Sequence, residues 1–385
     1  MINVFQPDIG QEELEAVKRI FDSRWLGKGK ITADLEAAWA QHIGARAGQV
    51  MVVSANSATE GLFQIMRLLA DWGVRDVVMP SLNFIGAGNA ALDAGMKIHY
   101  CDIDRRTLNA RAEDINKAMP ESRPVAVVLL HYGGLPCDMT DILGVCDRPG
   151  VYLVEDAACA PASTYHGFAC GTFGHFAVWS FDAMKIITMG DGGMIYCNTP
   201  EAADRLRARL YLGMDSASGL SGADNRWWEF ASDGLGRRSI MNDIAAAIGM
   251  AQLRKLARFI TRRREIHQMY NERIAAEDWI TLPPDTPDGV ESSYYLYWIQ
   301  ADDRDGLSRH LRDKGIYTTF RYWPLHRAYS IKADLPNTEW VAEHTLNLPL
   351  HTGLTDADVD TVCNQVIEFG RRRTESRFHQ SRAIA

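Results

Sequence analysis

The chain contains no apolar run near the roughly 20 residues that a membrane-spanning helix requires. Its first residues, Met1-Ile2-Asn3-Val4-Phe5-Gln6-Pro7-Asp8, have neither a basic start nor the apolar core of a signal peptide. CxxC pairs and other zinc-ligand spacings are also missing: the seven cysteines are scattered at 101, 137, 146, 159, 170, 197 and 363. Such an odd, dispersed set fits reduced thiols in the cytoplasm better than a disulfide framework. Positive charge is not in excess either. The formal net charge of −8 argues against nucleic acid as a main partner, and the basic run Arg371-Arg372-Arg373 lies in a polar tail and reads as a solvated end. Internal repeats and low-complexity segments are absent. What remains is a cytoplasmic globular protein of 385 residues, 46% hydrophobic and 23% charged, long enough for two or three domains or one large α/β domain.

The apolar positions are spaced as in helices over residues 11–22 and 33–43, and a glycine-rich loop, Ser23-Arg24-Trp25-Leu26-Gly27-Lys28-Gly29, separates them. From residue 50 the pattern changes. Short apolar runs at 51–53, 77–80, 98–101, 125–130, 151–154, 176–181 and 193–196 read as strands, several of them separated by helical stretches such as 57–70 and 85–95. That alternation predicts a mainly parallel mixed sheet flanked by helices. A helical stretch over 241–275 is long enough to bridge two domains. Beyond it, 294–300, 304–315, 316–322 and 355–370 read as strand, helix, strand and helix, a smaller α+β unit. The expected division is a large domain over 1–250 and a smaller one over 251–385.

In such sheets ligands bind at the carboxyl ends of the strands, and four post-strand loops there carry residues unlike packing residues. Asp156 lies just after the run Val151–Val154, in Val154-Glu155-Asp156-Ala157-Ala158; it is either a helix cap or an acid for chemistry. Lys185 ends Trp179-Ser180-Phe181-Asp182-Ala183-Met184-Lys185, ahead of Gly190-Asp191-Gly192-Gly193. In a mostly apolar segment a lysine is desolvated, which lowers its pKa and frees the amine for a Schiff base. Ser54-Ala55-Asn56-Ser57-Ala58-Thr59 lies between a strand and a helix, where N–H groups and hydroxyls form a phosphate cup without a GxGxxG pattern; an ordinary N-cap uses the same residue types. Phe84, in Pro80-Ser81-Leu82-Asn83-Phe84, has a ring suited to stacking on a planar group or to the core. Cup, aromatic ring, strand-end acid and later lysine, in that order on a parallel sheet, describe a pyridoxal-phosphate (PLP) site.

With these residues in place, the chain resembles the DegT/StrS sugar aminotransferases from Phe5-Gln6-Pro7 to about residue 370. The loop Ser23–Gly29 is similar to the family's opening substrate loop, and His131-Tyr132-Gly133-Gly134-Leu135-Pro136-Cys137-Asp138-Met139 to its post-strand loop. Gly315-Ile316 through Tyr322-Trp323-Pro324-Leu325-His326, and Asn347-Leu348-Pro349-Leu350-His351-Thr352-Gly353-Leu354-Thr355, resemble its carboxyl-terminal signatures.

The resemblance implies a fold-type-I PLP enzyme in which Lys185 forms the Schiff base and later shuttles the proton. Asp156 pairs with the pyridine nitrogen and Phe84 stacks on the ring. Ser57, the Ala58 backbone and Ser180 hold the phosphate. Three positions depart from the family: Cys159 where glutamine or histidine is usual, Ala58 where glycine is common, and Arg238 where a partner subunit's asparagine or lysine usually reaches the phosphate. Trp25, Leu26, Tyr322 and His326 are expected at the substrate, with Trp323 and the Trp227-Trp228 pair as further aromatic surfaces. The implied reaction moves an amino group from L-glutamate to a nucleotide-linked keto-sugar, on a homodimer with shared active sites. The texture around Lys185 suggests 4-amination of dTDP-4-keto-6-deoxyglucose; another sugar carbon or a keto-cyclitol stays open. A PLP-dependent sugar dehydratase of the same fold generally replaces the lysine, commonly with histidine, so Lys185 speaks for transamination. A non-catalytic regulatory protein has no need of both Asp156 and Lys185.

Overall fold

The computed structural model describes residues 1–44, 51–214, 232 and 234–384, with side chains to residue 373. Its strands are β1 (Val52–Ala55), β2 (Asp76–Pro80), β3 (Lys97–Cys101), β4 (Val125–Leu130), β5 (Val151–Asp156), β6 (Thr164–Tyr165), β7 (Phe168–Ala169), β8 (Phe176–Ser180), β9 (Gly193–Cys197), β10 (Ile280–Thr281), β11 (Val290–Glu291), β12 (Tyr297–Ala301) and β13 (Thr345–Leu348). Seven of them form the main sheet in the order β1-β9-β8-β5-β4-β2-β3. β9 alone runs against the others: it pairs antiparallel with both β1 and β8, while β8, β5, β4, β2 and β3 pair in parallel. The central strands are buried on both faces, which is why β4 reads Val-Ala-Val-Val-Leu-Leu without alternation.

The helix Ala58–Asp71 shows how the layers are fixed. Ser57 Oγ caps it by accepting the Glu60 N–H at 3.1 Å. Leu62, Ile65, Met66 and Leu69, spaced at helical period, bury one face among the side chains of β9, β8 and β5. Gly61 allows the close approach, since a Cβ there would meet Ile195 and Val178 at 3.1–3.3 Å. Across the sheet the helix Lys30–His42 buries Trp39 edge-on to Trp179 and Phe181, with ring centroids 5.5 and 5.0 Å apart.

A smaller α+β unit follows. β10, β12 and β13 form an antiparallel sheet beside the helices Arg304–Asp313 and Asp356–Ile384, with a separate core that includes Tyr297, Ile299, Leu307, Leu346 and Val362. The helix Asp243–Ile274 serves both units. Ala246, Leu256 and Phe259 pack into the main core, whereas Ile266, Tyr270 and Ile274 pack into the small one.

The expected strand at 316–322 does not form. That segment makes only isolated bridges, Ile316 to Ile2 and Thr319 to Asn347, because it is wedged between the amino-terminal segment and β13. Besides β10, the strand that pairs with β12 is β13, a four-residue run between a helix and Pro349. All seven cysteines are free and buried. Among the described residues no helix is long and apolar enough to cross a membrane.

Candidate active site

A cavity of about 340 Å³ opens at the carboxyl ends of β1, β2, β5 and β8, lined among others by Ser57, Ala58, Thr59, Phe84, Asp156, Ser180, Lys185 and Tyr322. The four separate loops of the sequence thus meet in one place, as the topology of a mainly parallel sheet requires.

At its floor, Asp156 ends β5 and is buried. Its Oδ1 accepts the Ala158 N–H at 3.0 Å. Burial raises its pKa, opposed by that hydrogen bond and by the charge of Lys185. The preceding acid, Glu155, serves the structure instead. It accepts the N–H groups of Gly171, Phe173 and Gly174 at 2.7–2.8 Å and lies 3.1 Å from His131 Nε2. His131 Nδ1 accepts the Cys137 N–H, so the ring proton sits on Nε2 and points at Glu155. Successive strand residues face opposite ways, and this separates the two carboxylates.

Lys185 follows β8 on a tight turn. Asp182 Oδ1 accepts the Met184 N–H at 3.0 Å, the Lys185 N–H donates to the Asp182 carbonyl at 3.0 Å, and the Met189 N–H returns to the Phe181 carbonyl at 2.9 Å. The ammonium lies 3.8 Å from Cys159 Sγ and 4.7 Å from the centre of the Tyr295 ring. Burial pushes its pKa down, as expected from the sequence. The neighbouring Cys159, Tyr295 and Asp156 more than offset that effect, and the net direction is up. In the chain by itself the net direction is therefore opposite to the expected lowering.

The wall beside Lys185 is the start of the helix Ala58–Asp71. The Ala58 and Thr59 N–H groups have no intrahelical acceptor there, and both residues line the cavity. Gly193 leaves the spot bare, since a Cβ on it would come within 2.4 Å of the Ser57 carbonyl carbon and the Ala58 nitrogen. Ser54, by contrast, turns away; its hydroxyl and N–H both go to Glu36, at 2.5 and 2.9 Å. Ser180 completes this side. Opposite, Phe84 meets Tyr322 edge-on at 5.9 Å, and the Tyr322 hydroxyl lies 3.6 Å from Cys159 Sγ.

Other expected site residues are not brought here within the chain. His326 is buried and its ring is committed. Its Nδ1 lies 2.6 Å from Ser81 Oγ and its Nε2 lies 2.5 Å from Glu339 Oε1, so no nitrogen is left for a substrate. Its place in a motif loop reflects packing. Replacing His326 by alanine should strip Ser81 and Glu339 of a buried partner and cost about 1–3 kcal/mol of stability. The substrate KM should not change; thermal melts and steady-state kinetics on the same preparation check both. Trp25 (61% exposed) and Leu26 (44% exposed) lie outside the cavity, the Trp25 indole donating to the Lys28 carbonyl at 3.1 Å. Arg238 also lies outside it, with its guanidinium 5.3 Å from the Tyr211 ring. Trp323 is exposed. The Trp227-Trp228 pair falls outside the described residues.

The cavity also holds residues that the sequence reading passed over: Asp182, Asp191, Met184 and Arg321. Burial and the charge of Asp182 raise the pKa of Asp191. Arg321 had a signal, since it adjoins Tyr322 inside a motif segment, but a lone arginine in a loop does not declare its direction.

The comparisons with known proteins agree with this geometry. The chain matches the DegT/DnrJ/EryC1/StrS aminotransferase family over residues 7–367. It is 45% identical over 371 residues to dTDP-4-dehydro-2,3,6-trideoxy-D-glucose 4-aminotransferase of Saccharopolyspora spinosa, covering 95% of this chain and 96% of the relative. Among solved structures it is similar to an aminotransferase, TlmJ, from Streptoalloteichus hindustanus, at 48% identity and a TM-score of 0.90, covering 97% and 100% of the two chains. The sugar aminotransferase CalS13 from Micromonospora echinospora is similar at 29% identity and a TM-score of 0.86, with 95% and 99% covered. A chain with this sheet, this cavity and these relatives belongs to the DegT/DnrJ/EryC1/StrS aminotransferase family and is a sugar aminotransferase of the fold-type-I architecture.

Proposed function

We propose that the enzyme uses pyridoxal 5'-phosphate to transfer the amino group of L-glutamate to C4 of a dTDP-linked 4-keto-6-deoxyhexose. The observation that carries this reading is the convergence of Lys185 and the buried Asp156 in one cavity beside a helix start with two free N–H groups. The residues fit the cofactor. Ala58 and Thr59 N–H, with the Ser57 and Ser180 hydroxyls, suit a phosphate. The Asp156 carboxyl accepts one hydrogen bond among the described residues and can accept another from a pyridinium. Phe84 offers a ring face, and Cys159 is a weak donor beside Lys185.

When bound, the cofactor supplies the carbonyl that accepts the amino group and the electron sink that acidifies the donor's α-hydrogen. The chain's part is proton handling and orientation. Lys185 Nζ takes the proton from the α-carbon and returns it across the transferred nitrogen, then reverses the sequence on the sugar. Asp156 would pair with the ring nitrogen and favour its protonated form. The sum is L-glutamate plus keto-sugar nucleotide giving 2-oxoglutarate plus amino-sugar nucleotide.

Trp25, Leu26 and Arg238 lie outside the cavity of their own chain, and Trp25 and Leu26 are exposed; this supports a homodimer in which they complete the partner's site. The change of core partners along Asp243–Ile274, from Phe259 in the main core to Ile266 in the small one, supports two domains bridged by this helix, divided nearer residue 260 than the expected 250. The buried free thiols suit a reducing cytoplasm.

A second reading of the sugar rests on the Saccharopolyspora relative, which is named for a 2,3,6-trideoxy 4-keto substrate. One experiment tests both. Purified protein loaded with PLP should turn yellow, L-glutamate should bleach it, and a keto-sugar nucleotide should restore the colour. Recovery with dTDP-4-keto-6-deoxyglucose against its 2,3,6-trideoxy counterpart ranks the two sugars. Protein that stays colourless with added PLP sinks the proposal.

A further inference from the structure

We infer that Arg321 reads the α-carboxylate of the amino donor and that Phe5 is its positioning residue; the inference rests on the transaminase reading above. Arg321 lines the cavity alongside Lys185 and Asp156. It is half-buried and forms no ion pair among the described residues. Its Nη2 donates to Met184 Sδ at 3.2 Å, a weak acceptor for a group with five N–H donors. Tyr322 is a second side-chain hydrogen-bond partner. Neither partner is a carboxylate, so a part-desolvated guanidinium with five N–H donors keeps capacity for one, and a carboxylate matches its fork.

The remaining contacts hold the group in place without neutralising it. The Arg321 backbone N–H donates to Asn347 Oδ1 at 2.8 Å, which ties the residue to β13. Its guanidinium lies over the Phe5 ring at 4.5 Å. Phe5 stacks on Tyr295, with centroids 5.6 Å apart and planes 19° off parallel, and Tyr295 lies under Lys185 Nζ at 4.7 Å. Two cations thus share one aromatic pile, one at each end. Ile2 and Val4 fix Phe5 there: Ile2 bridges to Ile316, and the Val4 carbonyl accepts the Leu350 N–H at 3.2 Å. The amino-terminal segment thereby becomes part of the donor site.

The chemistry selects which carboxylate Arg321 holds. An α-amino acid presents its amine and α-carboxylate on the same carbon, so a donor whose amine reaches Lys185 carries its α-carboxylate into this cavity. An amine without that carboxylate gains nothing from Arg321. The sugar acceptor has no such group on its reacting carbon and should be indifferent to the residue.

The test follows each half-reaction separately on PLP-loaded protein, by loss or recovery of visible absorbance. Wild type, Arg321→Gln, Arg321→Lys and Phe5→Leu are titrated with L-glutamate and with 4-aminobutyrate, which lacks the α-carboxylate. Binding without turnover is read from the spectral shift caused by maleate. Arg321→Gln should raise half-saturating glutamate about 10- to 100-fold, the range for a lost charge-assisted hydrogen bond, and weaken maleate. The 4-aminobutyrate response should not move, so the preference for glutamate over it collapses by the same factor. Arg321→Lys should fall between, having charge without the planar fork. Phe5→Leu should raise the glutamate requirement about 2- to 5-fold with no change in the acceptor half-reaction. An unchanged glutamate titration in Arg321→Gln overturns the inference. So does a loss confined to the keto-sugar nucleotide, which would assign Arg321 to the diphosphate. If wild type is bleached by another α-amino acid in place of glutamate, the glutamate assignment falls and the same ratio, measured with that donor, decides Arg321. A wild type bleached by no α-amino acid overturns both readings.

Discussion

Replacing Lys185 by alanine is expected to reduce turnover by at least about 10⁴-fold, the upper range for loss of a positioned acid–base group. Two losses combine. The cavity amine beside Cys159 disappears, and with it the proposed covalent anchor for a carbonyl cofactor. The α-hydrogen of the donor also loses its nearest base. The variant should still bind PLP through the helix start and Asp156, because neither depends on the lysine side chain. Borohydride reduction followed by mass measurement separates the roles: wild type retains the cofactor covalently, the variant does not. Small primary amines added in solution should restore part of the rate, since they replace the proton carrier but not its position. A variant with turnover within about tenfold of wild type, or one that still traps the cofactor on reduction, would remove Lys185 from the centre of the site.

Asp156→Asn should act with opposite signs on the empty and the loaded protein. Burial holds this carboxyl above its ordinary range in the chain alone. A carboxylate whose pKa is raised on folding costs nothing at acid pH, when it is protonated in both states. The cost grows as pH rises from the ordinary carboxylate range through the raised value, and is complete beyond it. At neutral pH the cofactor-free asparagine variant should therefore melt at a higher temperature than wild type, and the difference should vanish in acid. Loaded with PLP the order reverses. Asparagine carries no charge to hold a proton on the ring nitrogen, so cofactor affinity falls and turnover drops by about 10- to 100-fold, the equivalent of one charged hydrogen bond. Melts of both forms at neutral and acidic pH, with turnover measured alongside, check each sign. Equal turnover of the two loaded proteins would show that the acid does not set the electronics of the reaction.

How far the sequence reveals this site depends on the range over which each feature is determined. β4 is legible to the residue because six apolar side chains in a row can only be buried together. Asp156 and Lys185 are legible because each follows such a run, and the carboxyl end of a parallel strand is where chemistry collects. The reversed direction of β9 leaves no trace in an apolar pattern, since a strand buried on both faces reads the same either way. Arg321, Tyr295 and Phe5 come together from 316 residues of separation between the first and last, and no local spacing encodes that. Trp25 and His326 illustrate the converse. Both sit in motif loops, but a loop fixes where a residue is and leaves open which way it faces; His326 turned inward to Ser81 and Glu339.

The back-to-back acids of β5 carry a mechanical consequence. Glu155 holds the turn at 171–174 by three hydrogen bonds, and that turn leads straight into β8, which delivers Ser180 and then Lys185. The two chemical groups, Asp156 and Lys185, are therefore moored to the same short piece of backbone. Arg321 and Tyr322 hang from a different support, between the amino-terminal segment and β13. If the cavity breathes as substrates exchange, its jaw is the arginine side and its anvil the lysine side. Exchange on the arginine side then leaves the mutual placement of Asp156 and Lys185 as it is.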